Sequence, residues 1–221
     1  PLSDTPALSL VSLMDHTPGQ RQWRDTSSYR TYYSNIASWT DEEFEQVIER
    51  LQTARDGCAE DNAASVMAFC RERGLPMASH DDTLVEHVEE ALGNGIAISE
   101  FPTTMEAARH ASENGMLVLM GAPNVVRGGS HSGNISALEI AQAGYLGSLS
   151  SDYVPVSLLE AAFALSEGGY MSLPAAVGLV TANPAEAVGL EVGRRADLVR
   201  VSMVEGQPVV RNVWREGAEV F

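Results

Sequence analysis

Residues 75–100 read LPMASHDDTLVEHVEEALGNGIAISE, and the architecture follows from the change of period inside this run. An apolar stretch over 75–80 ends in His80 and two acids; residues 83–92 carry apolar side chains at helical spacing; a second apolar stretch over 95–100 ends in Glu100. Short apolar runs rich in branched residues read as strands, and the 3.6-residue spacing between them reads as a helix. A strand-helix-strand unit demands a right-handed crossover and parallel pairing. Each strand also hands over to polar residues at its C-terminal end, where open α/β sheets and (β/α)8 barrels both place their sites.

The same unit recurs outward in both directions. Downstream, a helix over 104–114 leads to a strand over 116–120, and a helix from about Asn134 leads to a weaker strand over 146–151 that ends at Asp152. Upstream, the apolar run 7–14 ends in Asp15 and His16, followed by a turn at Pro18-Gly19 and a polar, tyrosine-bearing loop. Thr40 with Glu43 three residues on forms a capping box and opens an acidic helical region up to about Arg73, with Gly57 as a point of interruption and Gly74 as its close. Helices over 156–166 and 173–181 follow. Residues 196–202 and 208–214 then alternate, which marks strands of a small antiparallel sheet. About five βα units are present, whereas a barrel closes with eight strands. The sheet is therefore either open or a barrel lacking its first three units.

Composition removes several functions. The chain has 221 residues with 30 Asp+Glu against 14 basic residues, every one an arginine, and a formal net charge of -16. A general nucleic-acid binder needs the opposite balance. The absence of lysine excludes a Walker-type phosphate loop, a Schiff-base lysine and a lysine bridging two metals. Two cysteines, Cys58 and Cys70, make no disulfide framework and fit a reducing compartment. No apolar run approaches the roughly 18 residues of a membrane span, and residues 1–6 carry no export signal. The expectation is a cytoplasmic protein with no membrane or nucleic-acid partner. The start at Pro1 without Met adds the expectation that this is a processed or truncated piece.

Of five histidines, His87 and His110 fall on helices and read as surface residues. His80, His16, Glu100 and Asp152 stand at or just past strand ends. Imidazoles and carboxylates converging from separate strands make a mixed N/O site for Zn²⁺, Mn²⁺ or Fe²⁺. Asp152 is the candidate general base, and Asp81 or Asp82 either fixes the His80 tautomer or approaches the site itself. The Gly-rich segment 121–134 precedes a helix. Gly128 and Gly129 offer backbone N–H groups, Ser130 and Ser132 hydroxyls, Arg127 and His131 charge, and Asn134 a helix N-cap, which together suit phosphate oxygens. A plain surface loop is the competing reading. Arg21 and Arg24 offer a fork for an anion beside His16, against the plainer reading of a solvated loop pair. The acidic total does not forbid an anionic substrate, because salt limits its reach to about 8 to 10 Å.

The motifs SLMDHTPGQRQ (12–22), ASHDDT (78–83), ISEFPTTMEAA (98–108), LMGAPNVVRGGSHSGNISA (119–137), SSDYVPVSLLEAAF (150–163), TANPAEAVGL (181–190) and GRRADLV (193–199) resemble the PhnM family of phosphonate metabolism, within the amidohydrolase superfamily. The resemblance covers nearly the whole chain. It implies a (β/α)8 TIM barrel of the amidohydrolase type, here without its first three βα units, over 1–190, and strands of a small β-sandwich over 191–221. The activity implied is metal-dependent hydrolysis of α-D-ribose 1-methylphosphonate 5-triphosphate to the 5-phosphate and pyrophosphate. By position, His80 and Asp152 match the superfamily's metal-ligand histidine and metal-proximal aspartate. Glu100 stands where many members have a histidine, the first-strand histidine motif would lie upstream of Pro1, and the connection over 190–193 is short. The partner implied is a small-molecule ribose triphosphate phosphonate, with homo-oligomerisation left open. A C–N hydrolase on the same scaffold and an inactive truncated form are the alternatives.

Overall fold

A computed structural model describes residues 8–34, 38–130, 133–190 and 196–221. Contacts divide the chain into two compact units, residues 1–119 with 130–135, and residues 120–129 with 136–221.

The first unit is built on parallel strands: β1 (Val11–Leu13), β2 (Met77–His80), β3 (Ile98–Glu100) and the start of β4 (Leu117–Gly121). Val11 pairs with Met77, His80 with Glu100 and Glu100 with Leu119. All four residues of β2 are buried, the polar Ser79 and His80 included, as in a parallel strand covered on both faces. The crossovers are α4 (Val85–Gly93) and α5 (Met105–Glu113), the latter capped by the Thr104 side chain accepting from the Ala107 N–H.

The connection from β1 to β2 is longer and differs from the expected loop. The tyrosine-bearing stretch forms a 3-10 turn, Arg21–Trp23, and a helix, α1 (Thr26–Tyr33), capped by Asp25. Tyr29 is buried and Tyr33 half-buried, while Tyr32 stays exposed. Trp23, Tyr29 and Phe44 are buried together, with Tyr33, Trp39, Ile48 and Leu51 packed on them, so aromatic burial decides a segment whose composition looked polar. The expected helical region is two helices, α2 (Asp41–Asp56) and α3 (Ala59–Arg73), broken at Gly57. Both halves of the Thr40–Glu43 capping box are formed, and Gly74 ends α3 at φ 62°, a conformation glycine adopts without a Cβ clash.

β4 passes from the first unit into the second, where β5 (Ser148–Ser150) is its neighbour in the sheet order. The second unit adds α6 (Ala122–Arg127), α7 (Ala137–Gln142), α8 (Ser157–Glu167), α9 (Leu173–Gly178) and α10 (Ala182–Ala187). Two expectations for 121–134 are corrected. Residues 122–127 are helical, with Pro123 in the first turn, where its missing N–H costs nothing. The following helix is capped not by Asn134 but by Ser136, in a capping box with Glu139. A separate antiparallel sheet closes the chain: β6 (Leu198–Val204), β7 (Gln207–Arg215) and β8 (Ala218–Glu219), in that order. Its turns carry Glu205-Gly206 and Glu216-Gly217, all four at positive φ, as two-residue hairpin turns require. No helix among the described residues is long and apolar enough to cross a membrane.

Candidate metal centre

Parallel register puts Ser12, Ala78, His80, Ile98 and Glu100 on one face of the first unit's sheet, since side chains alternate along a strand and partners share a side. On that face the His80 Nδ1 meets Glu100 Oε2 at 2.8 Å, and the Ser12 hydroxyl donates to the same oxygen at 2.5 Å. Burial raises the Glu100 pKa, but the hydrogen bonds from His80 and Ser12 outweigh it and hold the carboxyl below its ordinary value. An ionised Glu100 on Nδ1 keeps the proton there and leaves Nε2 free to ligate.

The chain leaves β2 through a left-handed residue. Asp81 has φ 57°, and its N–H donates to the Glu100 carbonyl at 2.9 Å. The device recurs after β3, where Phe101 has φ 55° and donates to the Leu119 carbonyl at 2.8 Å; Asp152, two residues past β5, also has a positive φ, 48°. Such conformations cost an L-residue about 1–2 kcal/mol and persist where the surroundings over-determine them.

This turn carries the Asp81 carboxylate to the two imidazoles. Asp81 Oδ2 lies 3.3 Å from His16 Nε2 and 3.6 Å from His80 Nε2, and the rings of His16 and His80 are 5.1 Å apart. One ligand atom from each of His16, His80 and Asp81 falls within 4.8 Å of the others. His80 and Asp81 are buried, whereas the His16 side chain is 47% exposed, giving the site a solvent side. The Asp81 carboxylate raises the His16 pKa, against partial burial, which lowers it, with a smaller raise from Asp15. Asp81 Oδ2 is buried and forms no hydrogen bond. A buried carboxylate oxygen left without a donor is costly. Two neutral imidazole nitrogens and one carboxylate oxygen around it are a donor set suited to Zn²⁺, Mn²⁺ or Fe²⁺, so these residues fit the cation expected from the sequence.

The expected site residues sort differently from the sequence reading. His16 and His80 come together as expected; Glu100 stands behind His80 rather than among the three converging atoms; Asp81, left open between two roles, is the third. Arg21, expected to hold an anion, donates from Nη1 to Asp82 Oδ1 and lies 3.7 Å from Glu90. In the second unit, Asp152 packs its Oδ2 3.3 Å from where a Cβ on Gly121 would stand, so the absence of a side chain at 121 makes room for that carboxylate. Arg127 ends α6 and donates to the Tyr153 hydroxyl at 3.2 Å. The Gly128 and Gly129 N–H groups, expected to cradle phosphate, donate instead to the Val125 and Asn124 carbonyls and close α6. Asn134, in the first unit, donates to Gln22 at 3.5 Å. Ser130 is not without a partner, while His131 and Ser132 lie outside the described residues. Sequence reading missed the Ser12 donor and the role of Asp82. The tandem Asp81-Asp82 directly after a strand was the signal available for the latter.

No protein-family model matches the chain. The chain is 47% identical, over 222 residues covering 97% of its length, to alpha-D-ribose 1-methylphosphonate 5-triphosphate diphosphatase of Escherichia coli (strain K12). It spans 59% of the length of that curated relative. The likeness carried by the seven motifs of the sequence is thereby borne out across nearly all of this chain.

Proposed function

We propose that this protein carries out metal-dependent hydrolysis of a ribose 5-triphosphate bearing a 1-methylphosphonate, releasing pyrophosphate and leaving the 5-phosphate. The observation that carries the proposal is the buried Asp81 Oδ2, facing two imidazole nitrogens without a hydrogen bond of its own. The substrate class comes from the name of the similar diphosphatase. The parallel strands are taken as part of a (β/α)8 barrel of the amidohydrolase type over 1–190, and residues 191–221 as strands of the small sandwich. The unpaired thiols Cys58 and Cys70 accord with a reducing, cytoplasmic setting.

His16, His80 and Asp81 would hold the cation. When bound, a divalent cation supplies a Lewis acid for phosphoryl oxygens and acidifies water. Glu100 holds the His80 proton on Nδ1 and so orients Nε2, and Ser12 fixes Glu100. Asp152 is assigned the general-base role from its strand-end position, and Arg127 that of a phosphate contact from its glycine-rich segment. Phosphorus NMR of the 5-triphosphate incubated with the whole protein and defined added Zn²⁺, Mn²⁺ or Fe²⁺ tests the proposal. Pyrophosphate as the first product supports it; orthophosphate alone, or turnover of a neutral amide in its place, overturns it.

A further inference from the structure

The first unit contains a carboxylate that the proposed chemistry does not use. Asp82 is fully buried, at 0% exposure, one residue beyond the candidate ligand Asp81. Its Oδ2 accepts from Ser79 at 2.5 Å and from Ser99 at 2.9 Å, both on the sheet face opposite to His80 and Glu100. Its Oδ1 accepts from Arg21, whose side chain is 18% exposed. A buried carboxylate needs such partners in full, since one lost partner leaves an uncompensated charge. Arg21 itself is held at φ 47°.

Arg21 lies five residues from His16, and the loop between them has little slack. Thr17 donates to the Asp15 carboxylate at 3.0 Å, Gln20 to the Thr17 carbonyl at 3.0 Å, and Gly19 to the Trp23 carbonyl at 2.8 Å. Pro18 is fully buried, and its carbonyl accepts from Gln52. Whatever fixes Arg21 therefore fixes His16 relative to β2. We infer that Arg21 and Asp82 form a positioning pair that fastens the His16 loop to the end of β2, and so sets the separation of His16 from His80 and Asp81, rather than Arg21 serving as an anion ligand. The inference rests on the reading of these three residues as a cation site.

The test is Zn²⁺ binding to metal-stripped whole protein, by chelator competition, for the native chain, Arg21→Gln and Arg21→Lys, with pyrophosphate binding measured separately at saturating Zn²⁺. Orienting partners of metal ligands are worth about 10- to 100-fold in affinity, and a loss of that size is expected in Arg21→Gln. Arg21→Lys should lose less, because it keeps the charge without the planar fork; pyrophosphate binding at saturating Zn²⁺ should be unchanged. Native Zn²⁺ affinity in a folded Arg21→Gln overturns the inference alone. Weakened pyrophosphate binding with intact Zn²⁺ affinity also overturns it, by making Arg21 an anion ligand. Should Arg21→Gln fail to fold, Arg21→Lys decides: reduced affinity supports the pair and native affinity overturns it. Absence of Zn²⁺ binding in the native chain takes down both the inference and the cation site.

Discussion

Arg21 and Arg127 looked alike in sequence, each an arginine in a glycine-bearing segment beside polar residues and each offered to an anion, and the molecule uses them differently. Arg21 belongs to the first unit, where a rim of buried or half-buried groups is held by strand register: Ser12 to Glu100 to His80, and Ser79 and Ser99 to Asp82 to Arg21. Arg127 belongs to the second unit, at the exposed end of a six-residue helix, with the hydroxyl of the exposed Tyr153 as its hydrogen-bond partner. A desolvated ion pair resists loss of either partner, while an exposed charge is screened and replaceable. Preorganisation therefore resides in the rim, whereas Arg127 rests on an exposed hydroxyl.

The strongest way to break this contrast is to remove a converging atom. His80→Ala and Asp81→Ala should each lower Zn²⁺ affinity by more than the roughly 100-fold upper range of an orienting partner, measured by equilibrium dialysis. An unchanged affinity in either would remove the cation site from the first unit.

Next in size is the support behind His80. Glu100→Gln keeps the shape but not the charge that retains the Nδ1 proton, and a loss of about 10- to 100-fold in Zn²⁺ affinity is expected. If Glu100 were itself a ligand, Glu100→Gln would approach the effect of His80→Ala, so the ratio of the two separates the roles. The contrast on the other side is Arg127→Met. Surface substitutions usually stay within about 0.5 kcal/mol in stability, and this one should leave both thermal stability and Zn²⁺ affinity at native values while raising KM for the triphosphate. A loss of Zn²⁺ affinity there would show that the two arginines are not distinct after all.

Much of the architecture was legible because short apolar runs alternate with segments of helical spacing. β2, wholly buried, and the capping box at Thr40 were readable as they stand. What failed was local: residues 26–33 carry three tyrosines among polar neighbours, and only the cluster of Trp23, Tyr29 and Phe44 explains why they coil into a helix. Residues 122–127 were hidden by glycines that turn out to be a helix end at Gly128, φ 78°. In the candidate site, His16 and His80 could be named from their strand-end positions. Asp81 could not be separated from Asp82, because their difference is set by the left-handed backbone at 81, which sends one carboxylate to the imidazoles and leaves the next among Ser79, Ser99 and Arg21. Two adjacent identical letters carry no trace of that.

The smallest effect is a dependence on pH that the rim should show. In the metal-free protein Asp81 raises the His16 pKa above its ordinary 6.5, so the folded state binds a proton more tightly than the unfolded one. Stability from this pair is fully present below about pH 6.5 and is lost as pH rises through the elevated folded value. Glu100 acts in the opposite range: its folded pKa lies below 4.5, so its contribution is present above that value and is lost as pH falls through the lowered one. Urea midpoints of the metal-free protein should therefore fall on the alkaline side, and Asp81→Asn should flatten that limb while leaving the acid limb in place. Zn²⁺ affinity should run the other way, weakening as pH drops, because a cation must displace the proton on His16. Parallel rather than opposed alkaline trends in stability and Zn²⁺ affinity would mean that His16 and Asp81 do not share one oxygen's worth of space for proton and cation.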